Sequence, residues 1–165
     1  MRNVDHYQLP EDLRFRTDDL LALGGMKCTV RLKPDDLAGT VFEPGSVESA
    51  TLKLDISVGG ADFLAWGRIK GRKTLACSRC LKEFSCKFSE EFEETFSRES
   101  KIIDIMETVR QTLVLANDIC PVCDDKCKGL CAVCGTNLNE KECGCKPERL
   151  SPFALLKDLK KSDSK

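Results

Sequence analysis

The run from Cys120 to Cys145 reads CPVCDDKCKGLCAVCGTNLNEKECGC and holds seven of the chain's eleven cysteines. Most neighbouring cysteines in it are separated by two or three residues, a spacing that lets adjacent thiolates grip one centre through a tight turn. The stretch therefore reads as a metal-bound module, and the rest of the chain is read around it.

Zinc takes four thiolates in a tetrahedron at about 2.3 Å, commonly as two close pairs brought together by the fold. Cys131-Ala-Val-Cys134 followed by Gly135 has the form of a zinc knuckle, in which glycine permits the turn that aims backbone N–H groups at sulfur. Cys143-Gly-Cys145 is a second pair a short loop away, so Cys131, Cys134, Cys143 and Cys145 are expected to form one site. The remaining pairs are Cys77-Ser-Arg-Cys80 and Cys123-Asp-Asp-Lys-Cys127. A metal shared by them would staple the module to the body and couple its own binding to folding. Cys120 also forms a Cys-x-x-Cys with Cys123 and competes with Cys127 for that second site. Cys28 and Cys86 lie on strand patterns and read as small hydrophobes.

Hydrophobic residues make up 41% of the 165 residues and charged residues 32%, which suits a globular protein with one core and a small metal-held appendage. The longest apolar run is a few residues, too short to cross a bilayer. The first residues, MRNVDHYQLPEDLRF, contain no apolar core of a secretory signal. A cytoplasmic location is expected from this, and reduced thiols with it, which favours metal over disulfides.

The fold class expected is α+β. Met26–Leu32 and Ser49–Val58 alternate as strands, and Phe63–Lys70 returns as a hairpin partner after Gly59-Gly60. Arg72–Ala76 reads as a further segment after Gly71. Phe84–Phe96 is another alternator, with a bulge expected at the gap between Phe88 and Phe92. Ile102, Met106, Val109 and Leu113 then recur at helical spacing, predicting one packing helix over Ile105–Leu115 with Asp104 and Glu107 as its capping pair. Ser151-Pro152 followed by Leu155, Leu156 and Leu159 predicts a short C-terminal docking helix. The division expected is an antiparallel-sheet body over residues 1–118, the cysteine-rich zinc module over 119–147, and the helix and tail over 148–165.

The formal net charge of −1 hides two blocks. Between Gly67 and Phe88, seven cations face the single carboxylate of Glu83, whereas Ser89–Glu107 holds seven carboxylates and two cations. Trp66, Arg68, Lys70 and Arg72 fall at successive even positions and so share one face of a strand, where cations can pair phosphates and an aromatic ring can stack a base. Arg79 and Lys82 extend that row, and Lys126 and Lys128 join it if the second metal site forms. The plainer reading, a solvated face with Trp66 at the edge of the core, stands beside it. The acidic block would suit a basic protein. Eight thiolates with two zinc ions would take the net charge to −5, so RNA could be held only by a local patch.

The run Cys127-Lys-Gly-Leu-Cys131-x-x-Cys134-Gly-x-Asn137-Leu-Asn139, followed by Cys143-x-Cys145, closely resembles the C-terminal signature of the YceD family, the large ribosomal RNA subunit accumulation proteins of bacteria and plastids. Cys77-x-Arg79-Cys80-Leu81 and Ser151–Lys160 look like the family's other two markers, in order and spacing. The resemblance implies a non-enzymatic factor needed for 23S ribosomal RNA to accumulate. It would act in processing or assembly of the large subunit, with the 23S RNA or a pre-50S particle as partner. It also maps the family's cysteines onto the same eight paired above and leaves Cys28, Cys86 and Cys120 outside the pattern. It further implies that the metal is structural.

No catalytic constellation is visible. His6 has no partnering nucleophile, no glycine-rich phosphate loop is present, and an all-cysteine zinc set is closed rather than catalytic. Two rival functions remain: a zinc-dependent protein-interaction adaptor that does not touch RNA, and a thiol redox sensor.

Overall fold

The computed structural model describes residues 12–146. The chain divides into two compact units: one of residues up to Ser78 together with Lys82–Cys123, the other of Arg79–Leu81 together with Asp124 onward. The expected C-terminal helix lies outside the described residues.

The first unit is dominated by antiparallel sheet. In chain order it contains β1 (Arg14–Arg16), α1 (Thr17–Leu23), β2 (Gly25–Leu32), a 3-10 turn (Pro34–Leu37), β3 (Ser46–Val58), β4 (Asp62–Ala76), β5 (Glu83–Ser97), β6 (Ile102–Asp104) and α2 (Ile105–Leu115). Strands β2-β3-β4-β5 form one meander in sequence order, and β1 pairs with β6 in a separate two-stranded ribbon. The sequence predicts one packing helix and, before Gly24-Gly25, a lead-in with a short helical or extended turn; there α1 forms, closed by Gly24 in the left-handed conformation.

Alternation explains the core. Leu52, Leu54 and Ile56 of β3 and Phe63, Ala65 and Ile69 of β4 are all buried, while their neighbours in sequence face out. Phe15, Leu20, Leu37, Ile103, Ile105, Met106, Val109 and Leu113 complete the same apolar cluster, with Cys28 and Cys86 packed at its margin. Burial pushes the Cys28 thiol up to about 11 and raises Cys86 as well, so both behave as the small hydrophobes expected of them.

Two expectations need correction. First, Gly71 does not end a strand: β4 runs unbroken for fifteen residues through it. Second, β5 has no bulge, pairing residue by residue with β4 from Glu83 to Ser97. Phe84, Cys86, Phe88, Phe92 and Phe96 are all even-numbered, so the gap of four leaves them on one face. The register shift instead lies in β3 between Val47 and Ser49, opposite Lys73 and Arg72.

The glycines of β4 have a packing reason. Gly67 stands across from Phe92 and Gly71 across from Phe88. A methyl group on Gly67 would meet the Phe92 ring at 2.2 Å, and one on Gly71 would meet the Ser49 carbonyl oxygen at 2.0 Å and the Phe88 ring at 2.8 Å. Each phenylalanine thus lies down over the bare backbone of its cross-strand partner.

Helix α2 begins as the sequence predicts. The Asp104 side chain accepts a hydrogen bond from the Glu107 N–H at 3.1 Å and also pairs with Arg14 at 2.8 Å, tying the helix start to β1. Partial burial pulls the Asp104 carboxyl up, but the bonds from Arg14 and from the Glu107 and Met106 N–H groups outweigh it and hold the group below its ordinary value.

Gly67→Ala is expected to lower the urea midpoint by the equivalent of about 2 kcal/mol, with partial recovery when Phe92→Leu is added, because the ring has nowhere to move within the sheet. Asp104→Ala should cost about 1 kcal/mol. That contribution is present above the ordinary carboxylate range and lost as pH falls through the depressed value, so wild type and variant melts should converge in acid.

Candidate metal centres

The eight cysteines of the two expected sites sort into two groups of four. Cys77, Cys80, Cys123 and Cys127 form one, and Cys131, Cys134, Cys143 and Cys145 the other; within each, the sulfurs all lie within 4.8 Å of one another. A tetrahedron with zinc–sulfur bonds of 2.3 Å has edges of about 3.8 Å, so both donor sets suit a thiolate-loving tetrahedral ion after small side-chain adjustments. Cys120 is exposed and belongs to neither group. It lines a cavity of about 480 Å³ in the first unit together with Lys73, Cys86 and Asp118. Lys73 is buried on the core face of β4 and pairs with Asp118 at 3.6 Å, so one cation of the basic block is not available on the surface.

Backbone geometry aims the sulfurs. At the end of β4 the Cys77 N–H bonds to the Lys82 carbonyl at 2.9 Å and the Ser78 N–H to the Pro121 carbonyl at 2.8 Å. In the second unit the Cys131 N–H reaches the Thr136 carbonyl at 2.8 Å and the Gly135 N–H the Cys131 carbonyl at 2.9 Å, closing the knuckle. The residue after the second cysteine is left-handed in the Cys77–Cys80 and Cys131–Cys134 turns: Leu81 at φ 59° and Gly135 at φ 71°. Glycine adopts that region without a steric cost and leucine does not.

Asn137 and Asn139 are structural parts of the second unit to which the donor-set chemistry assigned no role. The Asn139 side chain accepts from the Lys128 N–H at 2.8 Å and donates to the Cys127 sulfur at 3.3 Å. Asn137 accepts from Asn139 at 2.8 Å, and its backbone bridges to Leu130. Their presence in a motif quoted for its cysteines was the only signal in the sequence.

Hydrogen bonds within the second group pull its four thiols in opposite directions. The Thr136 hydroxyl and N–H, then Cys131 and Cys145, draw Cys134 down to about 6. Backbone N–H groups of Cys134 and Val133 lower Cys131. Their partners move oppositely: Cys143 is raised first by its bond to Cys131, and Cys145 is pushed up to about 12 first by its bond to Cys134. A divalent cation binding among these four sulfurs would favour the thiolate form of each and release the protons that remain.

The residues expected to touch RNA are dispersed in role. Trp66, Arg68, Lys70 and Arg72 do share the solvent face of β4. Arg68, however, is engaged twice: its guanidinium pairs with Glu91 at 2.6 Å and lies 5.3 Å from the centre of the Trp66 ring. Arg79 donates to the Asp125 and Cys127 carbonyls at 3.1 and 3.2 Å, which shapes the second unit's first loop rather than extending a strand face. Lys82 is exposed beyond the end of β4. The acidic block has a structural explanation of its own, because β5 is an edge strand and charges there oppose pairing with another sheet.

The model of the family described as large ribosomal RNA subunit accumulation protein YceD matches residues 66–160, more than half of the chain. Fifty residues, 30% of the chain, are 44% identical to large ribosomal RNA subunit accumulation protein YCED homolog 1, chloroplastic, of Arabidopsis thaliana, of which they cover 16%. Over 65 residues, 39% of the chain, identity to the protein of the same name from Zea mays is 39%, covering 22% of it. The matched part of the chain thus spans less than a quarter of these curated relatives. No solved structure matches the chain. With a match that runs from the middle of β4 to beyond Cys145 and takes in both groups of four cysteines, the chain belongs to the family of large ribosomal RNA subunit accumulation protein YceD.

Proposed function

We propose that this chain is a non-enzymatic factor that promotes accumulation of the RNA of the large ribosomal subunit, acting in the cytoplasm on 23S RNA or a pre-50S particle. The family match over residues 66–160 carries this reading. Its metal chemistry is structural zinc, one ion for Cys77, Cys80, Cys123 and Cys127 and one for Cys131, Cys134, Cys143 and Cys145. Four thiolates fill a tetrahedral ion's coordination and leave no position for an activated water, so the zinc fixes loops rather than performing hydrolysis. The protein's own contribution is to favour the thiolate forms of Cys131 and Cys134, through backbone N–H groups at Cys131 and through Thr136 at Cys134.

The rival reading, a zinc-dependent adaptor for a basic ribosomal protein, has the exposed carboxylates of β5 in its favour. A deletion strain separates the possibilities. On the proposed reading 23S RNA falls relative to 16S RNA, the tagged chain co-sediments with large-subunit precursors, and a plasmid copy restores the ratio. Unchanged 23S levels together with no co-sedimentation would sink it. Co-sedimentation that survives complete ribonuclease digestion would favour the adaptor.

Metal content gives a second test. Purified protein is expected to contain about two zinc per chain. The first group is largely buried, with Cys77, Cys80 and Cys127 no more than 7% exposed, whereas Cys134 of the second is exposed. A chromogenic chelator should therefore remove zinc in two phases, the faster one lost in Cys131→Ser/Cys143→Ser; a single zinc per chain would overturn the assignment of two sites. Retention of both ions under mild hydrogen peroxide is expected, and prompt zinc release with disulfide formation would point instead to a redox sensor.

A further inference from the structure

The outer face of the four-stranded sheet is read across strands, which the sequence of one strand cannot show. Register places Lys27, Asp55, Trp66 and Glu93 in one cross-strand row, and Thr29, Lys53, Arg68 and Glu91 in the next. Then come Arg31, Thr51, Lys70 and Ser89, and finally Ser49, Arg72 and Lys87. Charge is thus sorted along the strands. The first row contains two carboxylates and one cation, and the last two contain four cations and no carboxylate.

The carboxylates of this face are largely occupied. Asp55 pairs with Lys27 and Glu91 with Arg68. Glu48, at the irregularity of β3, accepts from the Thr74 hydroxyl at 2.6 Å and has Arg72 nearby; its carboxyl is held below the ordinary range first by Thr74, then by Ser85. Of the remaining acids, Glu93 and Asp62 lie toward the end of the face away from the cations, and Glu83 lies two pairs beyond Arg72 and Lys87, opposite Ala76. Among the described residues no carboxylate forms an ion pair with Arg31, Lys53, Lys70, Arg72 or Lys87, and all five are exposed.

We propose that these five cations, contributed by β2, β3, β4 and β5, form a docking surface for the phosphate backbone of RNA. This rests on the ribosomal reading above and sharpens it. Lys70 and Arg72 lie two residues apart on one strand, roughly 6–7 Å, and Arg31 and Lys87 extend the patch sideways by strand spacings of about 4.8 Å each. A surface of this size meets several phosphates at once. It offers no uncommitted aromatic platform, since Trp66 stands in the acidic row and is covered by Arg68, so contact is with the backbone and independent of base sequence. Trp66 and Arg68 hold the face in shape; they are not its RNA contacts.

The test measures binding of the zinc-loaded chain to a fluorescently labelled RNA stem-loop across a salt series. Five phosphate contacts give a slope of log K against log salt of about −3.5 to −4.5, and Lys53→Gln/Lys70→Gln/Arg72→Gln should flatten it by two to three units. Lys53→Glu/Lys70→Glu/Arg72→Glu should weaken binding at least tenfold, with far-ultraviolet circular dichroism unchanged. A control with the same change in net charge, Arg16→Glu/Lys101→Glu/Lys141→Glu, and the variant Trp66→Leu should stay within threefold of wild type. Wild-type affinity in the Gln variant, or equal loss in the charge control, overturns the proposal. So does binding of polyglutamate as tight as that of RNA, which would make the face a receptor for an acidic protein. If the Glu variant restores 23S RNA in the deletion strain as well as wild type does, the docking surface fails while the ribosomal reading stands; if wild type itself restores nothing, that reading fails independently.

Discussion

Strand β4 is hydrogen-bonded on both sides along nearly its whole length, to β3 from Phe63 to Thr74 and to β5 from Asp62 to Ala76. Because successive side chains point to opposite faces, this double pairing fixes fifteen residues at once, and a slip by one would exchange the core for the charged face. Phe63, Ala65 and Ile69 are buried on one side for the same reason that Arg68, Lys70 and Arg72 are presented on the other. The same register carries the chain to Cys77 at the strand's end. The charged face, the apolar core and the first cysteine pair are three consequences of one ladder.

The cysteine groups obey a different logic, in which local turns matter more than sheet register. The Cys131 and Gly135 N–H groups close the knuckle onto carbonyls, the Val133 N–H donates to the Cys131 sulfur, and the asparagines at 137 and 139 brace the loop. Such a network lowers the free-energy cost of collecting negative charge before a cation arrives. It does not remove that cost, as the opposed protonation of Cys134 and Cys145 shows.

Local information was legible in the residues. The bounds of α2 followed from four apolar positions and Asp104, and the cysteine pairs from their spacing. What stayed hidden was long-range. The even positions from Phe84 to Phe96 mark a single face, yet the gap at Glu90 reads as a bulge until the partner strand is known. Gly71 reads as a break because a lone glycine usually is one; only the presence of Phe88 and the Ser49 carbonyl explains it. Trp66 and Arg68 look like ligands for a base until Glu91 is found opposite. Lys73 counted toward a surface charge block although its odd position, in step with Phe63 and Ile69, assigned it to the inner face.

The two glycine–phenylalanine pairs carry a consequence for how such a sheet can drift through evolution. Gly67 and Phe92 occupy one volume between them, as do Gly71 and Phe88, so neither member can grow or shrink alone without leaving an overlap or a void. Residues twenty-five and seventeen positions apart in the chain are thereby bound into joint heredity. Their substitutions should travel together through descendants, a covariation set by the space under an aromatic ring and not by any ligand.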